Sequence, residues 1–172
     1  MSKYTPIEYL TKIQKLKYKA AIFPILIVFI SFGLNIIFKI DQAKYLSIIG
    51  LIWYIFIIIQ FRVRRNYPPE SVTGIVLSPI YGKVTKIEDN SIIIKKNFFQ
   101  AADIRYSGQN IEMKIKSTKV IYFEEQPTLT GKLIGVVLSS AICICKIPDD
   151  LKIEVDLDEQ VVSGETILAL KI

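Results

Sequence analysis

The sequence predicts a membrane protein: an N-terminal two-helix transmembrane hairpin followed by a small all-β domain of barrel or barrel-sandwich type. Three observations predict it. Two uncharged apolar runs, residues 20–38 and 45–61, stand close together near the N-terminus. From Tyr67 onward the pattern changes to short runs rich in Ile and Val, separated by turn residues. Charge follows the same division: residues 1–65 carry ten Lys/Arg and two acids, and residues 66–172 carry twelve Lys/Arg and fourteen acids.

The first run, AAIFPILIVFISFGLNIIF, has nineteen residues. As a helix it is about 28 Å long, close to the hydrocarbon thickness of a bilayer. Pro24 lies in its first turns, where proline is tolerated best. The second run, YLSIIGLIWYIFIIIQF, has seventeen residues and is also long enough to cross. Only KIDQAK joins them, so the two helices are expected to be antiparallel neighbours within a 20–65 hairpin unit. Five lysines precede the first run, at 3, 12, 15, 17 and 19, and Arg62, Arg64 and Arg65 follow the second. The connection holds only Lys39 and Lys44 beside Asp41, so both termini are expected on the cytoplasmic side. Residues 1–19 read as a basic, partly amphipathic segment lying on anionic headgroups. A cleaved signal peptide does not fit, because the first run is too long and lacks a small-residue cleavage site.

Pro68 and Pro69 end the helical part, and residues 66–172 form the β-domain. Strands are expected at 72–77, 83–88, 91–96, 111–116, 119–124, 133–138, 141–147, 151–155 and 166–171, with a tight turn at 88–91. Phe98 and Phe99, beside Lys95 and Lys96, have two readings: insertion at the membrane interface, or burial in the core.

The net charge of +6 comes from the membrane-flanking part; the β-domain is slightly acidic, which argues against nucleic acid as a partner. The mean hydropathy of +0.39 is high for a soluble chain. Cys143 and Cys145, the only cysteines, are two apart on an expected strand. They would share one face as small buried hydrophobes, too few to build a structural zinc site, and no metal site is expected. Histidine, the usual base for activating a serine or cysteine, is absent from the sequence.

Several segments now line up in order. RVRRNYPP (62–69) is followed by IVLSPIYGKVTKI (75–87), and IGVVLSSAICICKIP (134–148) by VDLDEQVVSGETILAL (155–170). After a membrane hairpin, this order resembles the short bacterial form of phosphatidylserine decarboxylase. That family carries F-R-D-P-E-R-x-x-P, then S-P-A-D-G-K-V, then F-G-x-I-x-F-G-S-R-V-x-x-x-x-P, then V-x-x-G-x-x-V-x-A-G-E-T-x-L-A. The resemblance covers residues 20–94 and 130–172. It implies a bacterial inner-membrane protein, spanning twice, that handles phospholipid. It also implies self-cleavage between Gly and Ser, which turns the Ser into a pyruvoyl group that serves as electron sink for decarboxylation.

This chain departs from the family at each chemical position. The family's Asp falls on Tyr81, its His on Tyr122 of STKVIYFEEQP (117–127), and its Ser on Ala141. Sliding by one residue makes Ser140 the pyruvoyl precursor, but breaks the register through Pro148. A long family segment between the histidine region and the Gly-Ser strand is reduced to residues 128–133.

Three functions stay open. The first is a catalytically inactive homologue, without cofactor, that binds phospholipid or a membrane partner. The second is a minimal aminophospholipid decarboxylase, with pyruvoyl formed from Ser140. The third is an unrelated membrane-anchored β-domain for binding or assembly. A homo-oligomer is compatible with each. Arg62, Arg64 and Arg65 are candidates for holding phospholipid headgroups, and serve equally well as topology determinants.

Overall fold

A computed structural model describes residues 3–64, 68, 69, 74–88, 90–108 and 111–171. Helix α1 runs from Ile7 to Phe38 and helix α2 from Ala43 to Gln60. Both are long and apolar enough to cross a membrane, and most of their side chains in that stretch face outward. They pack against each other through small residues. A Cβ placed on Gly50 would lie 2.8 Å from Val28 Cγ2 and 3.1 Å from the Pro24 carbonyl. Ala21 and Ala43 are buried, while Phe29, Phe32, Ile37 and Tyr45 point away.

The first helix begins thirteen residues before the apolar run expected at 20. The segment expected to lie on headgroups is continuous with that run, and one side of it packs on the β-domain. Tyr9 and Ile13, four apart and therefore on one helix face, are buried in a cluster with Ile57, Phe61, Leu133, Val136 and Leu138. The Tyr9 ring lies 5.4 Å from that of Phe123, and its hydroxyl donates to Glu124 at 3.0 Å. Lys12, Lys15 and Lys19 remain exposed.

Among the described residues eleven strands follow: β1 Ile75–Leu77, β2 Gly82–Glu88, β3 Ser91–Lys96, β4 Asp103–Arg105, β5 Glu112–Ser117, β6 Val120–Tyr122, β7 Leu133–Val137, β8 Ala141–Lys146, β9 Leu151–Ile153, β10 Gln160–Val161 and β11 Ile167–Lys171. They form three open antiparallel sheets, ordered β10-β2-β3-β8-β5, β1-β11-β9 and β4-β7-β6. The architecture is thus β-rich, with open sheets where sequence led us to expect a barrel or barrel-sandwich. All three contribute to one core, which includes Val76, Val84, Ile92, Ile94, Ile104, Val137 and Leu168.

Strand β8 alternates as expected: Ala141, Cys143 and Cys145 point inward, and the two sulfurs lie 3.6 Å apart as free thiols. Strand β7 does not alternate, because it is buried on both faces. Ile134 and Val137 join the main core, and Leu133 and Val136 face α1. The turn expected at 88–91 is present: Glu88 pairs with Ser91, and Asn90 adopts φ 62°. Asp89 lies outside the described residues.

Candidate functional site

The connection from β7 to β8 carries Ser139 and Ser140 and lies against the end of α2. Leu138, just before it, donates its N–H to the Lys119 carbonyl at 3.0 Å and accepts from the Gln60 side-chain amide. Ser139 Oγ lies 2.6 Å from Ser117 Oγ and accepts from Thr118 Oγ1 at 3.0 Å. Ser117 Oγ also donates to the Ser140 carbonyl at 2.9 Å. Ser140 is exposed. Ala141 is buried at the first position of β8, opposite Lys96 on β3 and Ser117 on β5.

Sequence reasoning passed over Lys96 as a site residue. Its side chain is 1% exposed, and Nζ donates to the carbonyls of Asn97 at 3.2 Å and Ser139 at 3.3 Å. Burial pushes its pKa down to about 8, against the opposing pull of the Asp103 charge. An ammonium aimed at the Ser139 carbonyl can stabilise negative charge on that oxygen. Acyl transfer to Ser140 also needs a base to take the hydroxyl proton. The groups bonded to this turn among the described residues are hydroxyls, amides and the Lys96 ammonium.

Tyr81 occupies a second polar group behind the turn. Its ring is buried, with the Arg64 guanidinium 5.7 Å from the centroid. Burial, helped by the Asp103 charge, raises its phenol to about 12, so it stays a neutral hydroxyl. Asp103 and Arg105, also unforeseen, form a buried ion pair at 3.0 Å. Burial raises the Asp103 pKa while Arg105 opposes the rise. Arg105 reaches further: Nη1 donates to the carbonyls of Tyr4 at 3.2 Å and Gly131 at 3.1 Å, and Nη2 to that of Arg64 at 3.1 Å. One guanidinium therefore ties the chain before α1 and the chain after α2 to the β-domain. Ser163 completes the cluster, donating to the Pro79 carbonyl at 2.9 Å.

The remaining expected residues are spread out. Tyr122 pairs with Gly135, four residues before Ser139, so it stands about 13 Å along the strand from the serine turn. It lines a separate cleft, and burial raises its pKa. Arg62 is exposed, and its carbonyl accepts from Ala102 N at 2.7 Å. Arg64 is engaged with Tyr81, and Arg65 lies outside the described residues. Gly82 and Gly135 have clear steric reasons to be glycine. A Cβ on Gly135 would come 2.5 Å from the Ile121 carbonyl, and one on Gly82 would come 2.6 Å from that of Lys95.

The sequence carried a weak signal for the buried ions. AADIRYS alternates charge, Ile and charge, which reads as a polar connection unless the partners that neutralise it are known.

Comparison with known proteins brings no relative to this site: no protein-family model matches the chain. No curated protein and no solved structure matches it.

Proposed function

We propose that this is a membrane-anchored protein of two spans whose β-domain is a phosphatidylserine decarboxylase-like scaffold. It stays unprocessed and binds phospholipid at the surface of a bacterial inner membrane, with both termini cytoplasmic. The carrying observation is the seating of the β-domain on the helix ends. Phe56, four residues before the end of α2, stacks at 6.1 Å on Phe98 and 6.5 Å on Phe99. That position is about 6 Å inside the apolar helix. Phe99 is 63% exposed, which suits an aromatic ring lying among lipids. The serine turn, held by Gln60, then stands at headgroup level. The absence of a hydroxyl at Ala141 and of histidine from the sequence supports an intact chain.

One observation favours the second reading. Lys96 is placed to polarise the Ser139 carbonyl, the group that Ser140 Oγ would attack. In that step the acyl group of residue 139 moves from nitrogen to oxygen of Ser140, and the hydroxyl proton passes to the released amine.

Intact mass of the detergent-solubilised protein, read with its retained lipids, separates the readings. A single species at 19.6 kDa that retains phospholipid with headgroup preference is the expected result. A 33-residue fragment beginning at Ser140 with a blocked N-terminus would establish self-cleavage. An intact chain indifferent to phospholipid would leave a plain membrane-anchored binding module.

A further inference from the structure

The edge strands of two sheets, β5 and β6, face each other across a cleft of about 440 Å³, within the range that takes a small organic molecule. Its lining combines apolar side chains, including Met113, with Tyr106, Tyr122, Ser107 and the acidic residues Glu124 and Glu125. Among the described residues neither Lys nor Arg lines it, in a chain of net charge +6.

Three features define what would fit. Glu124 is already neutralised: Lys132 Nζ lies 2.6 Å from one of its oxygens, and the Tyr9 hydroxyl donates to it. Glu125 is exposed and has no hydrogen bond or ion pair among the described residues, so the cleft offers one free negative charge. Tyrosine faces beside a carboxylate favour an ammonium.

We infer that this cleft binds a water-soluble organic amine, with its ammonium at Glu125 and its apolar body against Met113 and the tyrosine rings. On the two-span reading the site stands clear of the bilayer. Tyr9, bonded to Glu124, lies eleven residues before Ala20, about 16 Å up the helix from the start of the apolar run. This argues for a soluble ligand here and is separate from phospholipid binding at the serine turn.

The test is calorimetric titration of the full chain in phosphatidylcholine nanodiscs, with empty nanodiscs as the reference. The probes are phenethylamine and its opposite-charge counterpart, 3-phenylpropionate. Saturable binding of the amine, and none of the acid, is expected. Glu125→Gln should weaken the amine by roughly fivefold, the scale of one exposed ion pair. Glu125→Lys should invert the preference. Equal affinity for amine and acid, or an unchanged ratio in Glu125→Gln, would each overturn the assignment.

Discussion

Away from its junction with the β-domain, the helical hairpin buries small residues and turns large ones outward: Ala21, Ser31, Ala43 and Gly50 lie inside, while Phe23, Phe29, Phe38 and Trp53 are exposed. In the β-domain the order is reversed. Isoleucines, leucines and valines fill the core, lysines and acids cover most of the surface, and the buried charges of Asp103 and Arg105 are paired. The hairpin is therefore held by close approach of two backbones, as helices are where their surroundings are as apolar as they are. The β-domain is held by removing apolar area from water. The two meet along Tyr9, Ile13, Ile57 and Phe61 on one side and Ala102, Leu138 and one face of β7 on the other.

The largest effect should come from the buried charges at that junction. Arg105→Ala leaves Asp103 uncompensated and releases Tyr4, Arg64 and Gly131 together. A loss of about 3–5 kcal/mol is expected in denaturant unfolding of the β-sheet signal. A loss below about 1 kcal/mol would mean the junction does not depend on that guanidinium.

Lys96 gives the next effect, through pH. Its folded pKa is about 8, against the usual 10.5. Between those values the unfolded chain holds a proton that the folded chain lacks, so stability rises as pH rises from about 8 to 10.5. Below that window both states are protonated and the full cost of the buried charge remains, on the order of 3 kcal/mol. Lys96→Met should abolish this rise, as judged by thermal midpoints at pH 7.5 and 10.

Gly50→Leu should act on the hairpin and spare the β-domain. The new side chain meets Val28, Ile27 and the Pro24 carbonyl, and overpacking of this kind costs about 1–3 kcal/mol. Loss of proximity between labels on α1 and α2, with unchanged β-sheet melting, is the expected outcome. The smallest change is Tyr9→Phe, which keeps the ring on Phe123 but removes the bond to Glu124. It should cost about 0.5–1.5 kcal/mol and should be silent when Glu124 is already Ala.

Periodicity made most of this fold readable in advance. The alternation of β8 and the apolar run at 91–96 identify strands directly, and the charge-free runs identify the hairpin helices. What escaped depends on distant partners. The first turns of α1 are too charged to extend an apolar run, and only Tyr9 and Ile13, four apart, hint at a buried face. Strand β4 has three residues, two of them charged, and is a strand because β7 pairs with it and Arg105 neutralises Asp103. The serine turn stood out in the sequence, whereas Lys96, which reaches its carbonyl across 43 positions, did not. The cleft at Glu125 is also non-local, since it needs both β5 and β6 in place.

The docking of α1 has a consequence for the order of synthesis. Tyr9 is held by Glu124, 115 positions later, and Tyr4 by Arg105, 101 positions later. A ribosome adding ~5–20 residues per second needs roughly 6–23 s to make the later partner of Tyr9. The hairpin is complete long before that, so the opening turns of α1 wait beside it with one apolar face uncovered. Their exposed lysines, Lys12, Lys15 and Lys19, keep that waiting segment hydrated. A segment made more than a hundred residues before its partners is thus among the last to reach its native place.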